Sequence, residues 1–152
     1  MHLKLDDTQF HPSLLRYSYF TGYFNGLDEK PVRWTKRICY DYEIEYYTKS
    51  DGGVWIDGKF TPFSKEDISV RKPGQCVAGV PPYNCYVLCF DVCGARYLPD
   101  GYFFGDPTHA QPLYDHPVLN ALPAKLSCPH EDRLIGLLRK SNGFLPYRNK
   151  TA

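Results

Sequence analysis

The sequence predicts a mainly β protein, and three observations carry that expectation. Tyr, Phe, Pro and Gly are abundant (13, 9, 13 and 12 residues) while Met occurs once, a composition that favours strands and turns. Between residues 31 and 93, short β-branched and aromatic runs alternate with turn signals about every ten residues, as in a sandwich or small barrel. Only residues 127–143 show a clean helical period.

The 152 residues suffice for one core, since a chain of 17.5 kDa buries about 69% of its unfolded surface. One domain with short tails is therefore expected. Lys and Arg number 18 against 17 acids, a net charge of +1, which excludes the basic excess of a dedicated nucleic-acid binder. No apolar stretch reaches the length of a membrane span. Asp6 and Asp7 stand where a signal peptide needs an apolar run, so a cytoplasmic protein with no membrane contact is expected.

The elements follow in order. Residues 1–30 read as an arm or one short strand, because Tyr17, Tyr19, Phe20, Tyr23 and Phe24 alternate poorly. Residues 31–126 form the β domain. Arg33–Tyr40 and Tyr42–Thr48 are β-rich runs, and Ser50-Asp51-Gly52-Gly53 is a turn. Val54–Ile56 and Lys59–Thr61 flank Asp57-Gly58, the signature of a type I′ hairpin, and Pro62 confines the second strand to an edge or an end. Asp67–Arg71 alternates and closes at Lys72-Pro73-Gly74. Gly79 and Pro81-Pro82 read as a loop before the long apolar run Tyr83–Cys93. Residues 94–126 show no period. Residues 127–143 read as a helix capped by Ser127 or a neighbour, with an apolar stripe of Leu134, Ile135, Leu137 and Leu138 that must cover its own sheet or a partner chain. Residues 144–152 are a tail.

Little in the sequence points to catalysis. Nucleophile elbows and phosphate-cradling glycine loops are absent. The five histidines lack the spacing that aims two imidazoles at one metal, and surface or loop positions are expected for them. Without a secretory signal the six cysteines are expected to be free structural thiols. Asp41, Glu43 and Glu45 share one strand face, which is either solvated or turned into a polar ligand cavity. Arg33, Arg37 and Arg71 are available to balance them, and Trp34, Trp55 and the tyrosines to pack the core or stack on a ligand.

The stretches Tyr42–Tyr47, Gly53–Lys59, Lys65–Gly74 and Tyr83–Asp91 resemble a cupin, the double-stranded β-helix or jelly-roll barrel. More narrowly they resemble the N-terminal effector-binding domain of AraC-type transcription regulators, with an acid-bearing strand, a glycine turn, a short hairpin, a Pro-Gly turn and an apolar strand ending in Phe-Asp. The resemblance covers residues 42–91, and Leu122-Pro123 with the following helix resembles the downstream segment. It implies a barrel followed by an amphipathic helix that dimerises through Leu134, Ile135, Leu137 and Leu138. The histidine positions of metal-binding cupins fall on Arg37, Cys39 and Val77, and one surviving carboxylate, Glu43, cannot hold a divalent metal. No metal and no cofactor are therefore expected.

The resulting expectation is a domain that senses a small polar effector, a sugar first, and forms a homodimer. DNA contact would run only through a C-terminal helix-turn-helix part that this chain lacks. Arg37, Glu43, Glu45, Tyr47 and Trp55 are the expected effector-binding residues. If Glu43 faces inward, alternation carries Arg37, Cys39, Asp41, Glu45 and Tyr47 with it. The rival expectations are a metal-free cupin isomerase, epimerase or lyase acting on a sugar derivative, and a stand-alone carbohydrate-binding or scaffolding module.

Overall fold

The computed structural model describes residues 2–23, 36–94 and 107–128, together with Arg133 and Gly136. Its elements are β1 (Leu3–Lys4), β2 (Ser13–Thr21), β3 (Arg37–Ile38), β4 (Tyr42–Ser50), β5 (Gly53–Ile56), β6 (Lys59–Pro62), β7 (Asp67–Arg71), β8 (Cys76–Val80), β9 (Tyr83–Asp91), β10 (Tyr114–Asp115), α1 (Pro117–Ala121) and β11 (Lys125–Ser127). A five-stranded antiparallel sheet runs in the order β11-β7-β4-β9-β2, and a four-stranded antiparallel sheet in the order β3-β8-β5-β6. A third, two-stranded parallel pair joins β1 to β10. The protein is mainly β. Among the described residues the two large sheets share no hydrogen-bonded strand pair, so they pack as separate layers and do not close into the expected barrel.

The central hairpin forms for the reason its sequence gives. Asp57 and Gly58 both adopt positive φ (48° and 81°), which a type I′ turn requires, and Trp55 pairs with Phe60 across it. Alternation then sorts β5: Val54 and Ile56 turn into the core, and Trp55 turns out. Val77 on β8 and Tyr47, Cys85 and Val87 on the opposing sheet complete that inter-sheet core. The other face of the five-stranded sheet has its own cluster, centred on the buried Tyr46 and Leu88.

Several expectations are corrected. The N-terminal segment supplies a nine-residue strand, β2, that pairs with β9 along most of its length. A register shift between Leu14 and Arg16 breaks its alternation, which is why the aromatic pattern reads as irregular. The region of Gly79 is strand β8, not loop. Short helix α1 lies where no period is visible, with His116 as its N-cap. Ser127 ends β11 and donates to Asp67 Oδ1 at 2.8 Å, and the start of the helix expected after it lies outside the described residues. The stripe residues Leu134, Ile135, Leu137 and Leu138 lie outside the described residues, as do Arg33, Trp34 and the tail 144–152.

Asp67 anchors the β7 edge. It accepts from the Ser64 backbone N–H (2.7 Å) and from Ser127, and Lys125 Nζ sits 3.1 Å from its other face. Burial works against its charge, but these hydrogen bonds and the lysine hold the carboxyl below its ordinary range. A carboxyl depressed in the folded state contributes stability above its unfolded value and loses it as pH falls through the folded one. Asp67→Asn is thus expected to flatten part of the acid limb of a stability–pH curve below about pH 4, measured by urea unfolding. An unchanged acid limb contradicts this role.

Candidate functional site

The inner face of β4 carries Glu43, Glu45 and Tyr47 into the space between the sheets. On β7, Ser69 pairs with Glu45 and Arg71 pairs with Glu43, so both project to the same side. Arg37 reaches in from β3 on the opposite sheet. Its guanidinium clamps Glu43 bidentately, Nη1 donating to Oε1 at 2.9 Å and Nη2 to Oε2 at 2.7 Å. Arg71 donates to Glu45 Oε2 and lies 3.6 Å from Glu43 Oε2. Tyr47 Oη donates to Glu45 Oε2 at 2.6 Å.

Two arginines and two glutamates thus form a four-charge cluster that links the layers and sums to zero. All but Arg37 are buried. Isolated charges at this depth would cost many kcal/mol, so each survives only because a partner faces it. Burial opposes the charge on Arg71, yet Glu45 and Glu43 override it and hold the guanidinium protonated well above its ordinary range. Burial, reinforced by the negative charge of Glu45, pushes the Tyr47 hydroxyl up, so it stays a neutral donor.

The cluster is not saturated. Among the described residues, Arg71 Nε and Ser69 Oγ, both buried, have no hydrogen-bond partner. A buried donor without an acceptor costs about 1–3 kcal/mol. Both atoms sit on the inner face of β7, beside carboxylates whose charge is already matched. Rings border this region: Tyr47 stacks on Phe63 (centroids 4.7 Å apart) and meets Tyr83 edge-on at 5.4 Å. Matched charge, spare donors and aromatic walls suit a small neutral or weakly polar molecule with oxygen acceptors.

Of the residues expected at an effector site, Arg37, Glu43, Glu45 and Tyr47 come together. Trp55 does not join them. It is 46% exposed and packs on Phe60 on the outer surface of the four-stranded sheet. Asp41 is also buried, but it accepts from Gln111 Nε2 at 2.6 Å in a separate knot that ties residue 111 to β9. Ser69, Gln111 and the depth of Arg71 are not evident from composition. The pairing of Asp67–Arg71 with the acid strand is the signal that locates two of them. His116 takes a loop position between β10 and α1, but a buried one: it stacks on Phe10 and lies 3.1 Å from Asp7 Oδ1. Among the described residues no group of three His, Cys, Asp or Glu side chains is placed to hold a metal.

All six cysteines are free. Burial, and then the charge of Glu43, pushes the Cys39 thiol up to about 12, and burial holds Cys85 and Cys89 well above their ordinary value. Alkylation of the native protein followed by peptide mass mapping is expected to label exposed Cys93 first and leave Cys39, Cys85 and Cys89 unmodified until unfolding. Early labelling of any of those three would mean the inter-sheet space opens readily. No family model matches the chain, and no curated protein matches it.

Proposed function

We propose that this chain is a ligand-sensing domain that takes a small polar molecule, a sugar or related polyol first, between its two sheets. We further propose that it serves as the effector-binding and dimerising part of an AraC-type transcription regulator, whose DNA contacts lie in a separate helix-turn-helix part. The observation that carries the ligand reading is the charge-balanced Arg37–Glu43–Arg71–Glu45 cluster with the spare Arg71 Nε–H and Ser69 Oγ beside it. A ligand oxygen accepting from Arg71 Nε and exchanging a hydrogen bond with Ser69 removes two desolvation penalties at once. The regulator reading is supported by the sequence resemblance. A route for the signal exists in β3, a two-residue edge strand that places Arg37 in the cluster and Ile38 on the outer surface. A ligand that prefers one position of β3 shifts the balance between two states by its differential affinity.

A thermal-shift screen against hexoses, pentoses, sugar acids and divalent metals tests the reading. A compound at about 100 times its dissociation constant adds about 2.7 kcal/mol, several degrees for a domain of this size. The expected result is a shift with one class of small polar molecule and none with metals. Ser69→Ala is expected to weaken that compound by about tenfold, and Trp55→Ala to leave it unchanged. Stabilisation by metals, or turnover of the compound, overturns the sensor reading.

A further inference from the structure

Strand pairing sets Leu126 of β11, Ile68 of β7, Tyr46 of β4 and Tyr86 of β9 in one row, on the face of the five-stranded sheet turned away from the four-stranded one. Leu88 of β9 lies on the same face, opposite Ile44. Tyr46 and Leu88 are only 1% and 8% exposed. Neighbours within a sheet stand beside a side chain and leave its tip open, so burial this deep needs a second layer about 10 Å away. At the Tyr42 end of this face, Leu5, Leu113 and Leu119 supply that layer. Around Tyr46 and Leu88 the described apolar neighbours come from β2, β4, β7 and β9 of the sheet itself, with one addition, Cys128. Cys128 follows β11, and its N–H donates to the Glu66 oxygen at 2.8 Å, so the chain leaves the sheet edge at this cluster.

We propose that residues 129–138 supply the remaining layer, as a helix laid on the outer face of β4, β7 and β9 with Leu134, Ile135, Leu137 and Leu138 turned towards Tyr46 and Leu88. Two residues of this segment are described, Arg133 and Gly136, and both are helical. At about 100° per residue, Gly136 lies about 180° and Arg133 about 120° from the middle of the apolar stripe. Arg133 is exposed, and a Cβ at Gly136 would meet nothing within 4 Å. The open side of the helix is thus the side away from the stripe. The reach also fits. A helix over residues 129–138 spans about 15 Å, and the three strand spacings from β11 to β9 span about 14 Å. A second copy of the chain is not needed as the cover, because Tyr46 and Leu88 are already buried within a single chain. The stripe is then occupied by its own sheet and is not free for the dimer contact that the resemblance implies. This inference does not rest on the ligand reading.

Methyl-resolved NMR of the full chain tests the proposal. The Leu134 and Leu138 methyl groups, assigned through Leu134→Ala and Leu138→Ala, are expected to show nuclear Overhauser contacts to the Tyr46 ring. In a mixture of labelled and unlabelled chains those contacts should stay within one molecule. Leu134→Glu combined with Leu138→Glu is expected to lower Tm by several degrees and to raise the binding of a dye for exposed apolar surface, with the oligomeric state in sedimentation unchanged. Should that variant fail to fold, the milder Leu138→Ala decides by the same readouts. Contacts found only between labelled and unlabelled chains overturn the proposal in favour of a dimer contact. A Tyr46 ring that touches other methyl groups but none from residues 134–138 overturns it in favour of a different cover. Neither outcome touches the sensor reading, whose readout is the response to a small polar compound.

Discussion

Arg71→Met is expected to be the most destabilising single substitution in the chain, by about 3–5 kcal/mol, read as a fall in Tm of about 10 °C or more. The guanidinium neutralises Glu45 directly and supports Glu43, and both carboxylates are buried. Removing it leaves Glu45 with a tyrosine hydroxyl as its remaining described donor. A buried carboxylate in that position must take up a proton or distort the strand to reach water. Replacing the group as a unit is a different experiment. With Glu43→Leu, Glu45→Met and Arg71→Met combined, no unpaired charge remains among these three, and most of the lost stability is expected to return. That variant separates structure from function: it should fold and no longer respond to the compound that stabilises the parent chain. If the parent's response survives, the cluster is scaffolding and the ligand site lies elsewhere.

Gly52→Ala is expected to cost about 3 kcal/mol, the upper end for overpacking, although it adds a single methyl group. A Cβ at residue 52 would stand 2.0 Å from the Val80 carbonyl oxygen and 3.1 Å from the Pro81 carbonyl carbon. These are backbone atoms, so rotating a side chain gives no relief. The Gly53–Val80 pair starts the β5–β8 ladder at this point, Phe63 N–H donates to the Gly52 oxygen, and Asp51 N–H donates to the Pro82 oxygen. Several hydrogen bonds must stretch together to make room. Chemical denaturation of the variant measures the effect, and a change below about 1 kcal/mol would mean that the turn repacks freely.

What was legible in the sequence depended on how local its cause is. The β5–β6 hairpin is set by two turn residues and could be read directly. Period-two alternation along β4 correctly grouped Glu43, Glu45 and Tyr47, and the buried pairing with Arg37 and Arg71 explains why acids can occupy an interior face. The same rule applied to β5 puts Trp55 outside, because Val54 and Ile56 take the inner positions. Its expected place beside a ligand came from its aromatic character and overlooked that parity. β2 was obscured by a register shift near Leu15, which moves part of its side chains to the other face. β8 was obscured by Gly79 and the prolines that follow it. His116 could not be placed from its neighbours, since the residue facing it, Asp7, is 109 positions away. Ser69 and Arg71 Nε became notable only when their surroundings were known, because an unpartnered buried atom is a property of packing and not of sequence.

The most direct test of the central claim observes the Arg71 side chain itself. In a ¹⁵N-labelled sample, the Nε–H resonance of Arg71, assigned through its loss in Arg71→Met, is followed while a hexose, a pentose or a sugar acid that stabilises the domain is titrated in. The account predicts that this resonance and the backbone amide of Ser69 move together and saturate with the dissociation constant found from thermal stabilisation. Shifts confined to the outer sheet surface, with the Arg71 Nε–H unmoved at saturation, would contradict it.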